Sequence, residues 1–520
     1  MTSLSRGKGI ARAATGVVAL VLILAFAAVL SGCGSDSASS SDGEKASLTG
    51  SGYPGVDALN TRHVKGEIDS SNVGDLAIAW TTPIKGASNF GSYASTPVID
   101  KGVIYSQDLA SNVEAINLES GEVLWTATFE QPDVGPNGIV VAAGHVFGAT
   151  PSEAFALDQK TGEQVWSTKL TRNESEGIDM APGYEDGLVY VSTVPLNTGS
   201  LYEGGGVGTL WALDAKSGKK RWHFDTVPKS LWGNPKVNSG GGLWYPPAFD
   251  GKGGMYFGVG NPAPFPGTPQ FPFGSSRPGP NLYTNSLIKM DARTGKLDWF
   301  HQVTPHDIHD WDFQGPPILI KVGGRDVVVA AGKSGIVLAA DRETGKVIWQ
   351  KAVGKHSGHD DDGLLAMRGE ESKIKTPSTV YPGSLGGVIA PMSTDGKMVF
   401  VPVVNSPITL LSGAEKTEGG EARGEVVALD AATGKLEWKE ELSTPAYGAT
   451  TSVNDLVFAT ASEGTVTAFR ATNGQVLWRE KLPAGTNAGV MANGDTLIAP
   501  AGLASATGQV PQLIAYRVGG

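Results

Sequence analysis

One pattern recurs seven times along this chain: a polar residue, a glycine four positions later and a tryptophan four positions after that. The seven segments are INLESGEVLW (116–125), LDQKTGEQVW (157–166), LDAKSGKKRW (213–222), MDARTGKLDW (290–299), ADRETGKVIW (340–349), LDAATGKLEW (429–438) and FRATNGQVLW (469–478). Seven recurrences at fixed offsets indicate a repeat architecture, in which one unit of supersecondary structure is copied along the chain.

Each copy has the residues of a β-hairpin. An alternating apolar stretch ends at a side chain, usually Asp, that can bond backbone amides across a tight turn. The glycine supplies the positive φ that such a turn needs. The next strand carries a tryptophan large enough to wedge between neighbouring sheets. One such hairpin per unit, repeated around a ring, is typical of a β-propeller.

A further tryptophan bears on the number of units. Trp80, in LAIAW (76–80), looks like the tryptophan of an eighth, split unit that closes the ring. We therefore predict an all-β fold, an eight-bladed β-propeller with tryptophan-docking repeats, and keep seven blades as the alternative. Residues 53–520 are predicted to form a single β-propeller domain in spite of their length.

Composition supports this fold class and argues against one class of partner. Charged residues make up 18% of the chain, and 71 glycines with 31 prolines favour short strands and turns over long helices. The net charge of −11 and the lack of a basic patch argue against nucleic acid as a partner. Surplus length lies in long loops, among them the Pro- and Gly-rich 261–280 and the polar 411–424, which we expect to be a solvated surface flap.

The N-terminus has the features of an export signal. Three basic residues within positions 6–12 precede an apolar run over 13–30, which leads into LSGC (30–33). The run reaches the lower length limit for a membrane-spanning helix, so an uncleaved anchor is one interpretation. The sharper interpretation is a secretory signal peptide over 1–32.

LSGC resembles a bacterial lipobox, in which cleavage leaves the cysteine as a lipidated N-terminus. Cys33 is the only cysteine of the chain and stands where this processing needs it. We expect a lipoprotein held on the extracytoplasmic face of the cell membrane through Cys33, with 33–52 as lipidated residue and flexible polar tether. A single cysteine allows no intrachain disulfide and no covalent c-type haem.

Ionisable residues are concentrated in TPHDIHDWDFQG (304–315), which contains His306, Asp307, His309, Asp310 and Asp312. Such a density is unusual for an ordinary connecting turn. Either the loop is solvated and happens to be polar, or it lines a site where a metal ion or a proton is handled. His306 and Asp307 are expected to form structural hydrogen bonds.

The repeat D-x-x-T-G-x-x-x-W in an exported propeller resembles the repeats of the quinoprotein dehydrogenases. Members of this family are eight-bladed enzymes that hold pyrroloquinoline quinone (PQQ) and a divalent or trivalent cation on the propeller axis. Further segments similar to the family's are NTRHVKGEIDSSNVGDLAIAW (60–80), SLYEGGGVGTLWALD (200–214), GGGLWYPPAFD (240–250), YFGVGNPAPF (256–265) and AGKSGIVLAADRETG (331–345). The assembly lipoprotein BamB has a similar ring and no catalysis, so the repeat alone is weak evidence for an enzyme.

The resemblance implies a set of site residues. Glu203 and Asn261 stand at the positions of metal ligands, and Trp244 stands at that of the tryptophan on which the quinone stacks. Lys333 takes the place of the cation that faces the quinone oxygens, and Ser200 corresponds to a cofactor-binding position.

The polar loop also has a counterpart in the family. HDIHDWD (306–312) aligns without a gap to the family's H-D-x-W-D-x-D. Asp310 then takes the position of the catalytic base, Asp312 that of the second aspartate, and both become candidate metal ligands. His309 replaces the expected tryptophan. An alignment on the Trp-Asp pair would make Asp312 the base instead.

Several positions depart from the family. DVGPNGIVV (133–141) occupies the place of the family's adjacent-cysteine pair, and Gly138 stands where an arginine for a quinone carboxylate is expected. Asp179 replaces a threonine, which brings negative charge toward an anionic cofactor. YPGSLGGVIAP (381–391) lacks the expected Asn-Trp. These changes weaken anion binding.

The chemistry of the residues agrees with the resemblance. A hard cation takes carboxylate and amide oxygens, and an alcohol that loses hydride needs a carboxylate as general base. We predict a PQQ-dependent dehydrogenase that uses Ca²⁺ or a lanthanide to oxidise an alcohol or sugar hydroxyl, with a separate cytochrome or quinone as electron acceptor.

Two other functions stay open: a non-catalytic BamB-like lipoprotein that acts as an envelope scaffold, and a propeller that binds a different ligand in the same funnel. On these alternatives Trp244 is a core residue and Asn261 caps the turn before Pro262. Glu203 and Lys333 are then solvated charges.

Overall fold

The computed structural model describes residues 52–196, 204–504 and 508–519. Strands dominate their regular structure. The helical segments of these residues are one α-helix, Asp362–Met367, and short 3₁₀ turns at Val73–Asp75, Leu231–Gly233, Pro272–Gly274 and Glu371–Lys373. None of the helices within these ranges has the length and apolarity needed to cross a membrane. The prediction of an all-β fold is confirmed.

Eight sheets follow one another in the described part of the chain, and each contains an antiparallel set of four strands; sheets 3 and 7 have a fifth strand, which in sheet 7 is His63–Val64, parallel to Thr451–Val453. Sheet 1 consists of Val98–Asp100, Val103–Gln107, Val113–Asn117 and Val123–Ala127, and sheet 2 of Val140–Ala142, His145–Ala149, Glu153–Asp158 and Gln164–Lys169. Sheet 3 consists of Gly183–Glu185, Leu188–Pro195, Thr209–Asp214 and Lys220–Asp225, with Glu176–Gly177 added at the edge. Sheet 4 consists of Ala248–Phe249, Gly254–Gly258, Ser286–Asp291 and Leu297–Gln302. Sheet 5 consists of Ile318–Val322, Arg325–Ala331, Ile336–Asp341 and Val347–Ala352, and sheet 6 of Ser393–Thr394, Met398–Asn405, Arg423–Asp430 and Leu436–Leu442. Sheet 7 consists of Thr451–Val453, Leu456–Thr460, Thr465–Arg470 and Val476–Lys481. Sheet 8 consists of Met491–Asn493, Thr496–Ala501, Gln512–Val518 and the N-terminal strand Leu76–Pro83.

The sequence repeat forms the hairpin between the third and fourth strands of a sheet. In sheet 5, the carboxylate of Asp341 accepts the N–H of Glu343 at 3.2 Å and that of Thr344 at 2.9 Å. Gly345 closes the turn with a φ of +69°. These bonds satisfy the amides of the turn and leave Trp349 on the outer strand, as the pattern predicts.

Each repeat tryptophan contacts the next sheet. The ring lies against the turn glycine of the following repeat so closely that a Cβ on this glycine would be 2.5 to 2.7 Å from the ring. The pairs are Trp80 with Gly121, Trp125 with Gly162, Trp166 with Gly218, Trp222 with Gly295, Trp299 with Gly345, Trp349 with Gly434, and Trp438 with Gly474. Trp478 of sheet 7 instead meets the ring of Tyr516 in sheet 8, edge to face.

The two ends of the described chain complete the cycle of contacts. Leu76–Pro83 pairs antiparallel with Gln512–Val518, so the N-terminal strand is the outer strand of sheet 8. Its Trp80 docks on Gly121 of sheet 1, and the indole Nε1–H donates to the carbonyl of Leu118 at 3.0 Å. The prediction of a β-propeller with tryptophan docking is confirmed.

A small cavity lies where the segments that precede the first strand of each sheet converge. Its walls include one residue from the approach to each sheet: Ser95, Asn137, Ala181, Tyr245, Pro316, Pro391, Ala449 and Asn487. Arg62 also lines this cavity and donates to the carbonyl of Thr450 at 2.7 Å and to that of Pro54 at 2.8 Å. The segment around Arg62 therefore closes the axis of the ring.

Insertions build a second, smaller layer, which we call the cap: the helix Asp362–Met367 and the strands Ser378–Val380, Ile408–Leu410 and Lys416–Glu418. Its apolar side chains, among them Val380 and Ile408, pack with Ile308 and Trp311 of the polar loop. The segment 411–424 is mostly exposed, as expected of a surface flap, and its residues Lys416–Glu418 pair with Ile408–Leu410 in the cap.

Gly434→Ala and Gly396→Ala offer a matched test of tryptophan docking. Both glycines have a positive φ (69° and 84°), so alanine costs about 1–2 kcal/mol of backbone strain at either site. A Cβ at Gly434 would also lie 2.5 Å from the ring of Trp349, whereas one at Gly396 meets nothing within 4 Å. Overpacking should add about 1–3 kcal/mol at Gly434 alone.

We therefore expect Gly434→Ala to lower the thermal midpoint, measured by circular dichroism, by clearly more than Gly396→Ala does. Equal midpoints would show that the contact between ring and glycine does not stabilise the fold.

Candidate active site

Asp307 organises the polar loop between sheets 4 and 5. Its buried carboxylate accepts the N–H of His309 at 2.8 Å and the N–H of Trp311 at 2.6 Å, and Nδ2 of Asn285 donates to it at 3.1 Å. These bonds fix the backbone on both sides of Asp310, whose φ is +67°. A positive φ at a residue other than glycine is uncommon, and such strained residues cluster at functional sites.

A buried arginine joins this loop to the Pro-rich loop 261–280. Arg277 donates through Nη2 to the carbonyl of Pro264 at 3.1 Å and to that of Asp307 at 2.5 Å. His306 bonds through its ring nitrogens to carbonyls of the same loop, at Gly279 and Phe273. His306 and Asp307 are thus structural hydrogen-bonding residues, as expected.

The carboxylates of Asp310 and Asp312 share one ammonium group. Nζ of Lys333 lies 3.2 Å from Oδ2 of Asp310 and 2.6 Å from Oδ2 of Asp312. Lys333 stands in the turn between Arg325–Ala331 and Ile336–Asp341, and its N–H donates to the carbonyl of Asp312 at 2.8 Å. The two aspartates and the lysine are buried. Lys333 is therefore not a solvated surface charge.

Asn261 and Trp244 lie beside Asp312. The N–H of Asn261 donates to Oδ1 of Asp312 at 2.7 Å, and its side-chain Nδ2 donates to the carbonyl of Pro262 at 3.2 Å. A Cβ on Gly260 would lie 2.9 Å from Oδ1 of Asp312 and 3.2 Å from Nε1 of Trp244, so both groups meet at this backbone position. Only a glycine leaves room for that approach.

The structure thus brings together five of the residues that the resemblance implies: Trp244, Asn261, Asp310, Asp312 and Lys333. The other two, Ser200 and Glu203, lie outside the described residues, and their roles stay predictions. Cys33 also lies outside the described residues.

Burial raises the pKa of Asp310 to about 8, the positive charge of Lys333 opposes this rise, and the negative charge of Asp312 adds to it. Oδ1 of Asp310 is buried and has no hydrogen-bond partner in the part of the chain that the structure describes. When both carboxyl groups are ionised, the single ammonium leaves a net negative charge, and the raised pKa of Asp310 reflects the cost of that state. A cation at this point would complete both the charge balance and the coordination of the free oxygen.

The donor set therefore fits a hard cation. Carboxylate, histidine and cysteine side chains of the described ranges form no three-ligand cluster on their own. A cation here would depend on the amide oxygen of Asn261 and on Glu203 in addition to Asp310 and Asp312.

One end of the site fits an anionic cofactor less well. The carboxyl groups of Asp133 and Asp179 are buried and hydrogen bonded to each other, and burial raises the pKa of both. Gly138 has no space for a larger side chain without movement, since a Cβ there would lie 3.2 Å from Ala181 and from Ser95. The face of Trp244 and the ammonium of Lys333 suit a quinone, whereas the acidic Asp133–Asp179 pair does not favour the carboxylates of such a cofactor.

Sequence reasoning missed how the cap holds the polar loop. Oδ2 of Asp362 accepts a hydrogen bond from Nδ1 of His359 at 2.7 Å and lies 3.2 Å from Nε2 of His309. All three side chains are buried. His309, which stands where the family has a tryptophan, therefore connects the polar loop to the cap helix. The signal was present as a second cluster of histidine and aspartate, HSGHDDDG (356–363).

Comparison with known proteins agrees with this geometry. Residues 183–353 match the family model "Glucose/ethanol/alcohol dehydrogenase, beta-propeller domain", and residues 109–239 and 410–517 match "Outer membrane protein assembly factor BamB". A quinohemoprotein alcohol dehydrogenase of Comamonas testosteroni is 29% identical over 486 residues, which are 79% of this chain and 66% of that protein. The quinoprotein alcohol dehydrogenase PedH of Pseudomonas putida is 27% identical, over 80% of this chain and 78% of that protein. The chain spans about half to two thirds of the length of several such relatives.

Solved structures show the same fold. The crystal structure of the Comamonas testosteroni enzyme superposes with a TM-score of 0.77 at 26% identity, covering 91% of this chain and 81% of that one. A europium-containing methanol dehydrogenase gives 0.74 at 20% identity, over 91% of this chain and 98% of that one. BamB of Moraxella catarrhalis gives 0.51 at 15%, over 85% and 97%. The fold and the site together resemble those of a quinoprotein propeller. The comparisons support a β-propeller like those of the PQQ-dependent alcohol dehydrogenases, as the sequence motifs predict.

The Asp133–Asp179 pair should make stability depend on pH. Because burial raises the pKa of both groups, the folded chain binds protons more tightly than the unfolded chain, and the free energy of unfolding falls as the pH rises above about 4. Asp179→Asn removes one titrating group and keeps its size. We expect its thermal midpoint to fall less than that of the wild type between pH 5 and pH 8.

The exposed Asp75→Asn is the matched control and should keep the pH dependence of the wild type. An unchanged slope in Asp179→Asn would show that the pair does not share a proton in the folded chain.

Proposed function

We propose that this protein oxidises an alcohol or sugar hydroxyl by metal-assisted hydride transfer to PQQ. The observation that carries the proposal is the meeting of Trp244, Asn261, Asp310, Asp312 and Lys333 at one buried point, although they come from separate parts of the chain. A structural platform has no need for two buried carboxylates with a single ammonium, since such a cluster costs stability. The names of the relatives, alcohol dehydrogenases that use a quinone, point to the same reaction.

The chain offers a place for each component. Asn261, Asp310 and Asp312, with Glu203 as a further predicted ligand, would hold a calcium or lanthanide ion, and Trp244 would supply the face for the quinone. When bound, the quinone supplies the hydride acceptor that side chains lack. Lys333 places a positive charge where negative charge develops during reduction.

Asp310 is the better general base of the two aspartates. Asp312 has a fully buried side chain, and its Oδ1 is occupied by the N–H of Asn261. The side chain of Asp310 is slightly exposed, and its carboxylate has one polar partner among the described residues, Lys333, where that of Asp312 has two, so Asp310 is better placed to take the proton of a substrate hydroxyl. A cation beside it would favour the ionised carboxylate, which a base requires.

The electrons would pass to an acceptor such as a cytochrome or a quinone, as the names of the relatives suggest. The competing function is a BamB-like scaffold, which the match of 109–239 and 410–517 keeps open. It gives no account of the carboxylate cluster.

We also propose that Cys33 is lipidated and holds the protein on the extracytoplasmic face of the cell membrane, with 1–32 as signal peptide and 53–520 as the folded domain. The basic residues before the apolar run and LSGC (30–33) support this. Mass spectrometry of the purified N-terminus should find a diacylglyceryl modification, and Cys33→Ser should release the protein from the membrane fraction. An unmodified Cys33 would contradict the proposal.

The activity is tested by reconstitution. Purified protein is mixed with PQQ and either Ca²⁺ or La³⁺, and dye-linked oxidation of a panel of alcohols is measured together with the absorbance of bound quinone. We expect binding and turnover with at least one ion. Neither binding nor turnover with either ion would contradict the dehydrogenase proposal.

Single substitutions separate the two aspartates. Asp310→Asn should keep bound PQQ and lower kcat by at least about a hundredfold, since a positioned general base contributes about 10²–10⁴. Asp312→Asn should instead weaken cation binding and be partly rescued by a higher concentration of the ion. Asp75→Asn serves as a control on the surface. If Asp312→Asn alone lost kcat at saturating ion, Asp312 would be the base.

A further inference from the structure

The cap strand Lys416–Glu418 brings two opposite charges to the site. Nζ of Lys416 donates to Oγ of Ser384 at 2.7 Å, and this hydroxyl in turn donates to the carbonyl of His309 at 3.4 Å. The ammonium group is therefore two hydrogen bonds away from the peptide that joins His309 to Asp310.

An aromatic ring lies under this ammonium group. Nζ of Lys416 is 5.3 Å from the ring centroid of Phe265, which is buried and belongs to the loop that begins at Asn261. A cation over an aromatic face is held electrostatically. Only 15% of the Lys416 side chain is exposed, so Ser384 and Phe265 fix it in place from two sides.

Glu418 pairs with Lys416 and is much more exposed than Lys416. Its side chain is 47% exposed and stands just before Gly419 and Gly420. The negative charge of Glu418 also acts on Tyr447, because it adds to the effect of burial in raising the pKa of Tyr447. Ion pairs that are this open to water are weak, so another carboxylate can take the place of Glu418.

We propose that Lys416 is a specificity-determining residue that selects alcohols carrying a carboxylate group, that is, short hydroxy acids. This inference rests on the proposed dehydrogenase function. The substrate hydroxyl lies at Asp310, its carbon chain lies along Phe265, and its carboxylate replaces Glu418 on the ammonium group of Lys416. A charge-assisted hydrogen bond of this kind discriminates strongly against an uncharged analogue.

A neutral polyol is the competing substrate, and Glu418 distinguishes the two. A polyol would use the carboxylate of Glu418 as an acceptor, so that Glu418→Gln would weaken its binding. A hydroxy acid competes with that carboxylate, so that Glu418→Gln should improve its use. The two substrate classes therefore predict opposite effects of one substitution.

The experiment compares kcat/KM for 3-hydroxypropanoate and for 1-propanol in the reconstituted holoenzyme. Lys416→Met should lower the value for 3-hydroxypropanoate about tenfold to a hundredfold and change that for 1-propanol by less than about threefold. Glu418→Gln should raise the value for 3-hydroxypropanoate several-fold. The exposed pair Lys435–Glu437 has the same spacing, so Lys435→Met and Glu437→Gln are matched controls that should change neither value.

An equal loss for both substrates in Lys416→Met would overturn the inference and leave the dehydrogenase proposal standing. The same holds for a lower value with 3-hydroxypropanoate in Glu418→Gln. If no alcohol is oxidised at all, the dehydrogenase proposal fails, and binding of propanoate, measured by ligand-observed NMR, tests Lys416 by itself. Propanoate that binds Lys416→Met as well as the wild type would then overturn the inference.

Discussion

The contact of seven tryptophans, Trp80 among them, with the turn glycine of the next repeat is the constraint on which this structure depends. The ring fills the space that a Cβ would take, so each outer strand is fixed against the following sheet. Because Trp80 belongs to the N-terminal strand and docks on Gly121, the same contact also joins the two ends of the described chain. The segments that lead into the first strands then converge on one axis, and long insertions are presented from a rigid base.

The rigid sheets hold the charged groups of the site in buried positions, away from the water that would otherwise solvate them. Asp310, Asp312 and Lys333 are buried together, and Asp310 is kept at a positive φ by the bonds of Asp307 on either side. Such an arrangement lowers stability unless a further positive charge completes it. This loss of stability is consistent with a site whose charges are balanced only when a cation is bound. The cap covers the site, since Val380 and Ile408 pack behind the polar loop.

Much of this could be read from the sequence, and the reason is locality. The Asp, Gly and Trp of a repeat lie within nine residues, so their hairpin is visible as a spacing, and Trp80 could be assigned by the same pattern. Asp310, Asp312 and Lys333 were found through motif resemblance, and their buried contacts agree with it. Contacts made by insertions have no period. The bonds of Asp362 to two histidines and the hydrogen bond of Lys416 to Ser384 were therefore missed, although the exposure of 411–424 was expected.

The central claim is that the buried carboxylates of this chain hold one cation. Tb³⁺ luminescence excited through tryptophan measures this without turnover, because a lanthanide held by Asp310 and Asp312 would be near the indole of Trp244, which approaches the same glycine, Gly260, as Asp312. Titrated in the presence and absence of PQQ, the wild type should bind one ion with sensitised emission, and Asp312→Asn should lose it. Emission that is absent from the wild type, or equal in Asp312→Asn, would contradict the account.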